Sequence, residues 1–153
     1  MKFIFSCILL VLFSTAASAQ TALDEQIALT RQSIQTDRKI ILMGNMTFTS
    51  EESAQFWPAW NEYRAAMAAN GDRTLALIKN FADNFENMTN EKAEELMTDH
   101  FSIEMQNIVI KQKFSQDLSK FLPAQKVMRV IQIENKLDAA IDMQLAAEIP
   151  LAQ

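Results

Sequence analysis

The sequence predicts an all-α protein of about four long antiparallel helices, arranged as an elongated bundle or hairpin, and three observations carry that prediction. Only two glycines and three prolines interrupt 153 residues. Ala, Leu, Met, Gln, Glu and Lys, which enter a helix at little entropic cost, are abundant. Apolar residues recur at 3.6-residue spacing through four successive segments.

The chain opens on a segment of another kind. Lys2 gives a positive start, Phe3 to Phe13 is an apolar run too short to span a bilayer comfortably, and Ala17-Ser18-Ala19 is a small-x-small cleavage site. Residues 1–19 therefore read as a secretory signal peptide cut before Gln20, and residues 20–153 as a single helical domain. Cys7 is the only cysteine and lies within the signal, so no disulfide is expected after cleavage.

The first helix of that domain is expected from about Leu23 to Met43, with Leu23, Ile27, Thr30, Ile34 and Ile41 on one side and Gly44-Asn45 as its stop. Thr49 then serves as an N-cap with Glu52 three residues on, the reciprocal box that satisfies free N–H groups at a helix start. Asn70-Gly71 has the composition of a terminator. Yet Phe56, Trp60, Tyr63, Met67, Thr74, Ile78, Phe81, Phe85 and Met88 keep one phase across it, within roughly 40° of a common line. A stop would reset that phase, so one helix is predicted from about Ser50 to Glu86, bent near Pro58.

Thr89 is the next N-cap, and the third helix carries Ala93, Leu96, Ile103, Ile110, Phe114, Leu118 and Phe121 on its stripe before Leu122-Pro123 closes it. Pro123 suits the first position of the fourth helix, which directs Val127, Val130, Ile131, Leu137, Ile141 and Leu145 inward and ends at Glu148-Ile149-Pro150.

Function is narrowed mainly by exclusion. Without Lys2 there are 13 basic against 19 acidic residues, a net charge of −6. Such a chain has no electrostatic footprint for nucleic acid or for an anionic membrane once the signal is removed. Neither a glycine-rich phosphate loop nor a nucleophile elbow occurs, so no enzyme and no cofactor are expected. His100 and Glu104, one turn apart, have the spacing of a metal pair, but a lone histidine is a poor start for zinc, and no metal is expected. His100 reads instead as a buried polar residue bonded to a neighbour. Glu134 and Asn107 fall near the centres of their apolar faces and read the same way, as polar groups that set helix register.

The densest feature is Phe56-Trp57-Pro58-Ala59-Trp60-Asn61-Glu62-Tyr63-Arg64. Phe56, Trp60 and Tyr63 share the helix stripe, Trp57 points about 100° away, and Arg64 is placed to cover the Trp60 indole. Together with Met67, a soft residue suited to adaptable surfaces, Phe56, Trp57, Trp60 and Tyr63 form a candidate partner-binding face.

Phe48-Thr49-Ser50-Glu51-Glu52, followed by Phe56-Trp57-Pro58 and Tyr63, resembles a branch of the Spy/CpxP-like periplasmic stress proteins with a Leu-Thr-x-Glu-Glu start and a Phe-Trp-Pro box. Leu122-Pro123-Ala124-Gln125-Lys126 and Gln132 to Leu137 through Pro150 fit the same branch. Against the Leu-Thr-x-x-Gln repeat for which members of the family are named, Phe48 stands in place of Leu and Glu52 in place of Gln. The resemblance implies a periplasmic, non-enzymatic helical protein, capable of forming a homodimer, that binds unfolded proteins or envelope-stress sensors through an apolar helical face. A second reading is a structural adaptor paired with one fixed partner, and a third is a metal- or cofactor-carrying bundle.

Overall fold

Helix-forming stretches separated by capped breaks produce four α-helices and no strand among the described residues, 32–152, of this computed structural model. The signal segment 1–19 and the start of the first predicted helix lie outside those residues. The chain divides into two units, Met1–Asn45 and Met46–Gln153. Within the first, helix α1 covers 32–45, running through Gly44 to Asn45, whose side-chain Nδ2 donates to the Ile41 carbonyl at 2.8 Å. Arg38 and Leu42 are its buried positions, whereas Ile41, expected inside, is exposed.

In the second unit, α2 spans Ser50–Asn84. The predicted capping box is present: Thr49 N–H donates to Glu52 Oε2 at 2.8 Å, and Glu52 N–H donates to Thr49 Oγ1 at 3.2 Å. The helix continues through Gly71 with no positive φ, as its unbroken apolar phase requires. It stops two residues short of Glu86, where Asn84 Nδ2 bonds back to the Asn80 carbonyl and a 3-10 turn, Phe85–Asn87, follows.

Helix α3, Asn90–Leu118, is capped by Thr89 Oγ1, which accepts from Lys92 N–H. Its end comes three residues before Phe121, because Lys120 N–H and Phe121 N–H bond three residues back and tighten the chain into a turn. Pro123 is the N-cap of α4, Ala124–Glu148, rather than its first helical residue; its extended ψ of 144° turns the chain into the new helix.

Cross-helix pairs define the topology. Glu62, Tyr63, Asn70 and Asn80 of α2 meet Lys113, Phe114, Asn107 and Glu95 of α3 in reverse order, so the two are antiparallel. Glu52 pairs with Lys126 and Trp60 with Glu134, both 74 residues apart, so α4 runs parallel to α2. The unit is an up-down-up arrangement of three helices. Its core is built from Phe56, Trp60 and Tyr63 of α2, Leu96, Ile103, Phe114 and Leu118 of α3, Leu122 of the turn, and Val127 and Val130 of α4. Each large side chain buried there contributes roughly 1.5–3 kcal/mol.

Candidate functional site

Two places on this unit concentrate side chains that sequence reasoning singles out or overlooks. The first is the aromatic box. Phe56, Trp60 and Tyr63 are buried, Trp57 and Met67 are half-buried, and Tyr63 stacks on Phe114 at 4.2 Å with rings 5° apart. The expectation that these five residues form a partner-binding face is therefore corrected for Phe56, Trp60 and Tyr63, which are buried. Helices α3 and α4 close over these three positions and place them in the core. Trp57 makes edge contacts with Phe56 at 5.0 Å and Trp60 at 5.6 Å, which fix it against the box. Arg64 lies over the Tyr63 ring at 5.5 Å rather than over the Trp60 indole.

Glu134 explains why Trp60 can be buried. The indole N–H donates to Glu134 Oε1 at 2.9 Å, Arg64 Nη1 approaches Oε2 at 3.5 Å, and the carboxylate itself is only 1% exposed. Donor and acceptor satisfy each other where water is excluded, so the pair locks α4 to α2 at one register. Farther along, Asn70 is buried and its Nδ2 donates to the Ile103 carbonyl at 2.9 Å and to Asn107 Oδ1 at 2.8 Å. Arg73 extends this network, donating to Asn70 Oδ1 at 3.1 Å and to Ser102 Oγ at 2.9 Å. Asn107 is thus half-buried within a register network whose centre is Asn70, a residue the sequence presents only as part of a suspected helix stop.

His100 is exposed, which corrects its expected place as a buried polar group. It sits about 40° round α3 from the line of Leu96 and Phe114. Leu118 takes the same angle and is buried, so the covering neighbours at each level of α3, and not the angle, leave His100 open to solvent. Its ring lies 5.5 Å from Phe101 on the outside of the helix.

The second place is the outer face of α3. Met97, Phe101, Met105 and Ile108 recur at four, four and three residues, within about 80° of one another, on the side away from α2. They are 54%, 64%, 63% and 65% exposed, and Val109 continues the edge. The spacing is visible in the sequence, but an amphipathic helix is read by finding one apolar stripe, and the inner stripe of α3 already meets that pattern.

Elsewhere on α3, Lys92 pairs with Glu95 and Lys113 with Asp117. Hydrogen bonds from Lys113 and then Lys120 hold the Asp117 carboxyl down at about 2. The Lys92 ammonium lowers Glu95. Both carboxylates are open to water and contribute little to stability. Between α2 and α3, a small open cleft of about 50 Å³ is lined by Ala59, Tyr63, Ala66, Ile110 and Phe114, with the charged Glu62, Lys113 and Asp117 also on its walls. Among the described residues there is no group of three potential metal-ligating His, Cys, Asp or Glu side chains, and no helix is long and apolar enough to cross a membrane.

Comparison with family models, curated proteins and solved structures returned no match for this chain. Fold and faces together define a class: an all-α protein whose three-helix unit is closed by a buried Trp–Glu pair and carries apolar side chains on both the inner and outer faces of one helix.

Proposed function

We propose that the protein is an exported, non-enzymatic helical protein of the Spy/CpxP-like periplasmic type, which binds unfolded or sensor proteins through the outer face of α3. One observation carries this reading: Met97, Phe101, Met105 and Ile108 form a line of large apolar side chains, each more than half exposed. Scattered apolar residues are ordinary on a protein surface, but a contiguous line of four marks a place where another apolar surface is covered. A helical ridge bearing methionines is suited to variable partners, because the unbranched thioether side chain adapts its rotamers to different shapes.

The reading is tested by following the aggregation of an unfolded model client in the presence of the parent protein and of a Phe101→Ser/Ile108→Ser variant. Both residues project to solvent, so the variant should fold with stability within about 0.5 kcal/mol of the parent. The parent should suppress aggregation, and the variant should need about tenfold more protein for the same effect. A parent without any protective effect overturns client binding and leaves the adaptor reading, pairing with one fixed partner, in its place. Export is tested separately, by N-terminal sequencing of protein recovered from the periplasm, with Gln20 expected first.

A further inference from the structure

Methionine normally fills irregular gaps in a core. Among the described residues, Met43, Met97, Met105, Met128 and Met143 are exposed, and only Met46, Met67 and Met88 are half-buried. Cys7 being the only cysteine, no thiol beyond it competes for an oxidant, and the thioethers are the sulfur that remains. Two of the exposed five, Met97 and Met105, flank Phe101 on the outer stripe of α3, two helical turns apart.

We infer that Met97 and Met105 are reversible oxidation sites at which a hydroperoxide converts the outer face of α3 from apolar to polar, and so turns off the binding proposed for that face. The oxidation sites stand on exposure alone; their effect on binding rests on the function proposed above.

The oxidant is hydrogen peroxide or an organic hydroperoxide. A sulfur lone pair attacks one peroxide oxygen, the O–O bond breaks, and an S–O bond forms. The sulfur is oxidised by two electrons while the peroxide is reduced to water or an alcohol, and the proton of the transferred oxygen passes to the leaving one. Exposure of more than half of each residue gives the reagent an open approach. The product is a strongly dipolar sulfoxide on either side of Phe101. A partner's apolar surface laid over it must bury that dipole without a donor, so the stripe loses its capacity for apolar contact. Neither methionine belongs to the core, so the helix and the three-helix packing survive the change. Enzymatic reduction of the sulfoxides restores the original face.

The test uses the purified protein and hydrogen peroxide. Peptide mass mapping should show Met97 and Met105 oxidised at least about fivefold faster than Met67 and Met88. Nile red, a neutral apolar dye, reads the face without any biological partner. Its affinity should fall about tenfold on oxidation of the parent, with helical circular dichroism unchanged, and should recover after treatment with methionine sulfoxide reductases. The M97L/M105L variant keeps side-chain volume and apolarity but has no sulfur there, so peroxide should change its dye affinity by less than about twofold.

The inference is overturned if Met97 and Met105 react no faster than the half-buried methionines, or if the dye response of M97L/M105L equals that of the parent. Client protection separates the two proposals. Protection equal before and after oxidation removes the switch and leaves the binding function. A parent that never protects a client, but shows the expected dye response, removes the binding function and leaves the oxidation sites.

Discussion

The first turns of α2 and its last turns are made of similar residues and buried to different depths. Near the start, Phe56, Trp60 and Tyr63 are closed off from solvent; near the end, Ile78, Phe81 and Phe85 are only half-buried. The difference lies in how many helices cover each end. Helix α4 runs parallel to α2, its residues matching α2 residues 74 positions earlier. By that register Glu148 reaches only about the level of Thr74. Beyond it, within this unit, α2 keeps α3 as its helical neighbour and loses α4, and Phe81 and Phe85 shield each other edge to face at 5.5 Å. Local apolarity is much the same at both ends, so burial here is a property of the neighbours.

The strongest way to break that comparison is to delete one ring from each end. Trp60→Ala removes a fully buried indole and also takes away the donor that Glu134 accepts, so it should cost about 3–5 kcal/mol in urea denaturation. Phe81→Ala should cost about 1–2 kcal/mol, because part of that ring is already in water and little cavity is left behind. Equal losses would mean that the far end is as well covered as the near one.

Asn70, between the two ends, sharpens the comparison at intermediate size. Asn70→Ala leaves Asn107 and Arg73 without their shared partner and should cost about 1–3 kcal/mol. Amide exchange along α2 and α3 should then loosen from Asn70 toward the Phe85 end more than toward Trp60. Uniform loosening would show that the network does not separate two regions.

The smallest effect is expected one residue later. Gly71 has ordinary helical φ, and a Cβ added there meets nothing within 4 Å. Gly71→Ala should therefore be neutral or stabilising by up to about 1 kcal/mol in a thermal melt, through the smaller entropy of its unfolded chain. A clear loss of stability would mean that the helix is interrupted at this point.

Much of the fold was legible in the residues because its determinants are local. Thr49 with Glu52, and Thr89 before Asn90, are caps whose partners lie three residues away, so spacing alone locates both helix starts. The phase that persists from Phe56 across Gly71 to Phe81 identifies α2 as one helix, because an interrupted helix does not keep its apolar residues in line. Helix ends were less legible: α2 ends in a 3-10 turn and α3 stops at Leu118, since the final turn is decided by hydrogen bonds that tighten to three residues. The candidate site was legible only in part. The outer stripe of α3 is present in the spacing of Met97, Phe101, Met105 and Ile108, but spacing does not say which of two apolar stripes meets a neighbour.

The chain by itself determined helix content, caps and the phase of each apolar face, all of which depend on contacts within a few residues. Only the tertiary structure decided which faces are inside. It placed Phe56, Trp60 and Tyr63 in the core and left His100 in water. It made Asn70 rather than His100 the centre of the polar network, and turned Met97, Phe101, Met105 and Ile108 outward. The physical reason is that periodicity fixes where side chains point around a helix axis, whereas burial depends on helices brought alongside from far along the chain, whose register is set by pairs such as Trp60 with Glu134, 74 residues apart, and Asn70 with Ile103, 33 apart.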